Sequence, residues 1–125
     1  MRFQLEGEPF FPVAGGDELT ELIKRIDGGF HNFGILENEA GHFIQAALRN
    51  EKFVIEKQLG GLNDHYEAIP ATPEVTDFET RSFLSKLFTR RPKNLFELDD
   101  VLKAFEAFMG LRPEPTNMKW RKINL

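Results

Sequence analysis

The sequence predicts an α+β fold, a mostly antiparallel sheet of about five to six strands with helices packed on one face. Four short runs rich in β-branched and aromatic residues lie between positions 31 and 69, separated by loops of three to six residues. Loops of this length join neighbouring antiparallel strands and are too short for parallel crossovers. Apolar residues at helical spacing lie before and after this block, which gives the order β-α-β-β-β-β-α-α-β.

The N-terminal part predicts a strand followed by a helix. Residues 2–6 form the first expected strand, and Gly15-Gly16-Asp17 then interrupts the chain. Four apolar residues follow at helical spacing, namely Leu19, Leu22, Ile23 and Ile26. Acidic residues in the first turns suit the helix dipole, and Gly28-Gly29 is expected to end the helix.

The central block predicts an antiparallel meander with strands over residues 31–36, 42–48, 52–57 and 65–69. In the first hairpin, a pairing of Leu36 with His42 fixes which side chains share a face. One face then carries Phe33, Ile35, Phe43 and Gln45, and the other carries Ile44, Ala46 and Leu48. Both faces hold apolar side chains, so the sheet is not cleanly one-sided, and the register of the next hairpin stays open.

Two helices and a closing strand are expected after the meander. The first helix follows a weak capping-box pattern at Thr76-x-x-Glu79 and stops before Arg91-Pro92. Its apolar stripe consists of Phe83, Leu84, Leu87 and Phe88. The second helix has a longer stripe, formed by Leu98, Val101, Leu102, Phe105, Phe108 and Met109. Gly110 is placed for its C-cap, and residues 117–125 form the closing strand.

Length and composition favour a single domain over residues 1–125. The chain has 125 residues, near the commonest domain size, and 41% of them are hydrophobic, enough for a core. It has no cysteine, which excludes disulfides, thiol catalysis and cysteine-based zinc sites. No apolar run approaches the roughly 20 residues of a membrane helix, and the N-terminus lacks a signal-peptide pattern. We therefore expect a cytoplasmic protein that does not associate with membranes.

The net charge of −4 conceals an asymmetry between the two parts of the chain. Acidic residues dominate positions 1–80, whereas basic residues dominate positions 81–125. The basic residues are spread over helix and strand positions rather than clustered, so nucleic-acid binding is not expected. The acidic part suits a basic partner, although both parts also fit ordinary solvated faces.

A search for catalytic and metal-binding patterns finds none that stands out. His31 and His42 lie several residues apart in the first hairpin, and His65 is on a later strand, so no shared metal site is expected. Ser82 and Ser85 lie in a predicted helix rather than on a glycine-flanked elbow. We therefore expect no metal, no cofactor and no catalytic residue, and a protein that acts by binding rather than as an enzyme.

Polar residues within apolar strands are the first candidates for a binding surface. Gln45 lies between Phe43-Ile44 and Ala46-Ala47, and Glu56 follows Phe53-Val54-Ile55. A polar group in an apolar strand either faces water on a solvated sheet face or forms hydrogen bonds when buried. The alternative interpretation is a polar patch that contacts a partner, with His65, Tyr66 and Glu67 beside it.

Trp120 is the last candidate for partner binding and the only tryptophan in the chain. It fits a core position under the terminal strand, because tryptophan is highly buried on average. It also fits an interface, where tryptophan and arginine are enriched, or a stacking site among Lys119, Arg121 and Lys122.

Three segments together resemble a known family. They are Phe43-Ile44-Gln45-Ala46-Ala47 with Phe53-Val54-Ile55-Glu56, then Asp64-His65-Tyr66-Glu67-Ala68, and finally Ala104-Phe105-Glu106-Ala107-Phe108 with Arg112-Pro113 and Met118-Lys119-Trp120. This order resembles the first-numbered Imm family, the predicted immunity proteins of bacterial polymorphic toxin systems. The resemblance covers roughly residues 30–69 and 98–123. Residues 73–96 are longer than the family's usual connection, and the first thirty residues carry no family signal.

The resemblance implies a protein that protects its producing cell by binding a cognate toxin, often a deaminase or nuclease-type domain encoded nearby. By this hypothesis the chain occludes the toxin's active site with a surface that includes Glu56, His65, Glu67 or Trp120, beside Gln45. Two alternatives stay open, an unrelated protein-interaction or small-ligand-binding module and an enzyme built from unidentified carboxylates. The sequence does not determine the oligomeric state.

Overall fold

A computed structural model describes residues 1–60, 64–71 and 94–123. Within these residues lie seven strands and two helices. In chain order they are β1 (Arg2–Leu5), β2 (Phe11–Pro12), α1 (Gly16–Lys24), β3 (Phe33–Glu37), β4 (Phe43–Arg49), β5 (Lys52–Gln58), β6 (His65–Pro70), α2 (Leu98–Phe108) and β7 (Met118–Lys122). The helix predicted between Thr76 and Arg91, with Ser82 and Ser85, lies outside the described residues.

All seven strands form one antiparallel sheet in the order β2-β1-β3-β4-β5-β6-β7, which confirms the predicted α+β class. The strand that the sequence did not predict is β2, in which Phe11 pairs with Phe3 of β1. A two-residue strand that contains Pro12 has no alternation of apolar and polar residues, so periodicity could not identify it. The two described helices pack against the sheet and against each other.

The core lies between the helices and one face of the sheet. From the strands it takes mainly the side chains that point to this face: Phe3, Leu5, Leu36, Ile44, Ala46, Phe53, Ile55 and Ala68. The helices add Leu19, Ile23, Val101, Ala104 and Phe105. Gly34 also lies in this layer. A Cβ at this position would come 2.6 Å from Phe3 Cζ and 2.9 Å from Ile26 Cδ1. The ring of Phe3 therefore occupies the space that a larger residue would need.

The predicted register of the first hairpin is wrong by two residues, because Leu36 pairs with Ile44 rather than with His42. A tight loop accounts for the difference. The amides of Ala40 and His42 donate to Asn38 Oδ1 at 3.0 Å, and the Asn38 amide donates to the His42 carbonyl at 2.9 Å. The predicted face assignment is nevertheless confirmed, since a shift of two residues leaves each side chain on the same face.

The register of the second hairpin, which the sequence left open, follows from a two-residue turn. Arg49 pairs with Lys52, so only Asn50 and Glu51 lie between the strands. Their φ angles are 51° and 70°, the left-handed pair that a type I′ turn requires. This turn places Gln45 directly opposite Glu56.

The last helix begins and ends close to the predicted positions. The Glu97 amide donates to Asp100 Oδ2 at 3.0 Å, which satisfies one of the free amides at the N-terminus. Gly110 follows the C-terminus with a φ of +81°, and its amide donates to the Ala107 carbonyl at 3.0 Å. The helix packs over β4 and β5, and Phe105 is fully buried there.

Candidate functional site

Neither described helix packs on the second face of the sheet, which we call the open face. Its side chains alternate with those of the core along each strand. Near its centre it carries Gln4, Phe33, Ile35, Phe43, Gln45, Val54, Glu56, His65, Glu67 and Arg121. His65 is buried, and the others are half-buried or exposed. The open face therefore presents polar and apolar side chains together.

Four polar residues form a continuous line across the open face, which we call the polar row. Gln45 on β4 pairs with Glu56 on β5, Glu56 pairs with Glu67 on β6, and Glu67 pairs with Arg121 on β7. Directly opposite residues on neighbouring strands have their Cβ atoms about 4.5–5.5 Å apart. Three of the predicted partner-binding residues, from separate strands, are thus immediate neighbours, and His65 joins them.

Glu56 is the shared acceptor of this group. Gln45 Nε2 donates to Glu56 Oε2 at 3.0 Å, and His65 Nε2 lies 3.0 Å from the same oxygen. A carboxylate accepts, so the imidazole donates through its Nε2–H. The imidazole is only 9% exposed and its ring lies edge-on to Phe43, with 6.4 Å between ring centroids. These contacts hold the carboxylate of Glu56 in one orientation.

The other ring nitrogen of His65 has no hydrogen-bond partner among the described residues. His65 Nδ1 is fully buried, so solvent does not reach it. The described polar contact of the imidazole therefore holds it against Glu56.

Glu67 accepts hydrogen bonds from two groups in distant parts of the chain, and one of them, Arg121, also pairs with its charge. Arg121 Nη2 donates to Glu67 Oε1 at 3.1 Å, and Asn94 Nδ2 donates to the same oxygen. The Arg121 side chain is 59% exposed, whereas that of Glu67 is 18% exposed. The guanidinium also offsets the repulsion expected between the adjacent carboxylates of Glu67 and Glu56. Arg121 is therefore the exposed member of this ion pair.

Trp120 lies on the helix side of the sheet, away from the other four candidates. It neighbours Arg121 along β7, so its side chain points to the opposite face, where it packs against the core. The Lys57 ammonium lies 4.0 Å from the centroid of its ring, and Trp120 Nε1 donates to Glu114 Oε2 at 3.4 Å. Burial lowers the pKa of Lys57, and the Glu114 carboxylate offsets part of that effect.

Arg121, Asn94 and Phe43 also contact this group of side chains, and none of the three was among the predicted site residues. The position of Arg121 next to Trp120 in a predicted strand was a usable signal. Consecutive strand residues point to opposite faces, so one of the two had to lie on the open face. The contact of Asn94 with Glu67 had no local signal, because 27 positions separate the two residues. Phe43 shared the predicted face with Gln45, but its contact with His65 depends on the pairing of β4, β5 and β6.

Comparisons with protein-family models, with curated proteins and with solved structures found no match. In the described part of the chain, no three histidine or acidic side chains are grouped in a way that could hold a metal ion. The described helices include none that is both long and apolar enough to cross a membrane.

Proposed function

We propose that this protein acts by binding another protein through its open face, and that the partner is a bacterial toxin domain whose active site it covers. The resemblance of residues 30–69 and 98–123 to immunity proteins supports the toxin as partner. The single observation that best supports the surface is the polar row, in which Glu56 is fixed between Gln45 and His65 among half-buried apolar side chains.

The size of the open face suits a protein partner. Seven strands about 4.8 Å apart span roughly 30 Å, and strands of five residues add about 17 Å in the other direction. Their product, about 500 Å², is of the same order as the roughly 800 Å² that each partner buries in a standard interface. Phe33, Ile35 and Val54 supply apolar contact area around the polar row, as interface cores require.

The fixed side chains of the polar row favour recognition. Glu56 is held by two donors and Glu67 by Arg121, so binding would freeze few rotamers in these residues. Each rotamer-rich side chain that is immobilised on binding costs about 0.5–1.5 kcal/mol, so prior ordering increases affinity. The exposed guanidinium of Arg121 is available for a carboxylate or phosphate group of the partner.

The experiment is titration of the purified chain with the toxin domain encoded beside it, with binding followed by calorimetry and the toxin's activity measured in parallel. We expect a one-to-one complex and inhibition that is complete at one equivalent. Arg121→Glu should weaken binding about tenfold or more, because charge reversal leaves a repulsive contact. Lys24→Glu, the same change on exposed α1, is the matched control and should leave binding unchanged.

Glu56→Lys with Glu67→Lys is a second test of the same surface, but it also removes the acceptor of His65. Its melting temperature must therefore be compared with that of the parent chain before its affinity is interpreted. The proposal is rejected if no complex forms at micromolar concentration. It is also rejected if protection of the toxin's target is complete at far less than one equivalent, which would indicate catalysis.

A further inference from the structure

A groove of about 570 Å³ lies between the edge strand β2 and helix α1, on the side of the molecule away from the polar row. Its apolar part is formed by Phe11, Pro12 and Leu22. Phe11 and Leu22 are half-buried, and Pro12 is exposed. Because Pro12 has no amide N–H, a strand added beside β2 would lose a hydrogen bond there. An occupant would therefore bind through its side chains.

Three carboxylates border the apolar part of the groove. Asp17, Glu18 and Glu21 are exposed residues of α1 that line it. Arg25 is four residues after Glu21, the spacing of a helical ion pair, but its guanidinium lies 3.3 Å from Glu8 Oε2 instead. Within the part of the chain that the structure describes, no cation pairs with any of the three. The groove is therefore lined by three apolar residues, by three carboxylates without a described cation, and by Arg25, whose charge is paired with Glu8.

Helix stabilisation accounts for only part of this charge. Asp17 and Glu18 lie in the first turn of α1, where carboxylates interact favourably with the helix dipole. That effect falls off within the first turn, so it does not extend to Glu21. Glu21 lies beside an apolar groove, and Arg25 is paired with Glu8 instead. The charge of Glu21 would therefore be complemented by a cation from outside the chain.

We propose that this groove docks a basic segment of a partner protein. A large apolar side chain of the segment enters between Phe11 and Leu22, and lysine or arginine residues on either side pair with Glu18 and Glu21. The segment is recognised by charge and by one apolar contact, so affinity falls as salt screens the ion pairs. This surface is separate from the open face, and the two bind independently.

The probe is a short synthetic peptide with a leucine-phenylalanine pair at its centre and lysines on both sides, observed by NMR titration of the full chain. We expect chemical-shift changes centred on the amides of Phe11 and Leu22. Glu18→Lys with Glu21→Lys should weaken binding about tenfold or more, because two attractive contacts become repulsive. Asp99→Lys with Glu39→Lys is the matched control, since it makes the same charge change at exposed positions away from the groove.

Two further peptides separate docking from general attraction to an acidic protein. A peptide with the same lysines and two central serines should bind about tenfold more weakly, because it lacks the apolar contact. A peptide with glutamates in place of the lysines should not bind. Shift changes spread over every acidic surface, or equal binding of the first two peptides, overturn the proposal.

A second copy of this chain is the alternative occupant. Light scattering over a range of concentrations tests that outcome because it measures self-association of the chain. Self-association that Glu18→Lys with Glu21→Lys abolishes would replace the foreign partner and overturn the proposal as stated. Arg121→Glu should leave peptide binding unchanged. Failure at the groove is therefore distinguishable from failure of the open-face proposal.

Discussion

His65 Nε2 lies 3.0 Å from Glu56 Oε2, and this contact joins β6 to β5 on the open face. The same oxygen accepts from Gln45 on β4, so three successive strands are linked through one carboxylate oxygen. The imidazole is buried and its other nitrogen has no partner among the described residues, which makes Glu56 its sole described polar contact. The arrangement makes the integrity of the polar row depend on Glu56.

We therefore expect Glu56→Ala to lower the free energy of unfolding by about 1–3 kcal/mol, because it leaves the buried imidazole of His65 without a hydrogen bond. Glu56→Gln keeps an acceptor oxygen and should lose less. Urea denaturation of both variants checks this, with Glu39→Ala at an exposed loop position as the control. Equal losses for Glu56→Gln and Glu56→Ala would show that the hydrogen bond is not what stabilises the site.

Phe105 is fully buried on α2, and its ring centroid lies 6.2 Å from that of Phe3. Phe105→Ala should reduce the free energy of unfolding by about 3–5 kcal/mol, since it removes a large side chain and leaves a cavity. Phe30→Ala is the matched control because Phe30 is 92% exposed, so its loss should stay within about 0.5 kcal/mol. Chemical denaturation measures both, and similar values for the two would contradict the assigned core.

Gly34→Ala should destabilise the protein by about 1–3 kcal/mol, because a methyl group there overpacks the core. Its Cβ would lie 2.6 Å from Phe3 Cζ, closer than carbon atoms approach without movement. Phe3→Leu in the same chain should recover part of the loss by removing the ring. Thermal melts of the single and double variants test the coupling, and additive losses would show that the ring is not the obstacle.

Lys57 should make stability depend on pH in the alkaline range. In the folded state, burial lowers the pKa of its ammonium below the ordinary value of 10.5. The Glu114 carboxylate offsets only part of this effect. The unfolded chain then binds more protons between the lowered pKa and 10.5, so stability rises with pH across that window. Urea denaturation between about pH 8 and pH 10 should show this rise relative to Lys57→Met. Parallel curves for the two proteins would contradict the expectation.

Local patterns in the sequence were sufficient for most of the described elements and for the faces of β3 and β4, but not for β2. The two-residue period of side chains along a strand placed Gln45 and Phe43 of β4 on one face even though the predicted register was two residues off. The helix over Leu98–Phe108 followed from its apolar stripe, its acidic first turn and Gly110. Each of these signals depends on side chains within a few positions, so no knowledge of distant partners was needed.

The tertiary structure decided which residues meet. Glu67 and Arg121 are 54 positions apart, and the pairing of β6 with β7 brings them within 3.1 Å. The same pairing directs Trp120 to the core side, although the sequence allowed it in the core or at an interface. The sequence by itself therefore determined the fold class and the faces, because backbone geometry repeats locally. Only the tertiary structure decided the polar row, because it combines residues of β4, β5, β6 and β7 that the chain order alone does not place together.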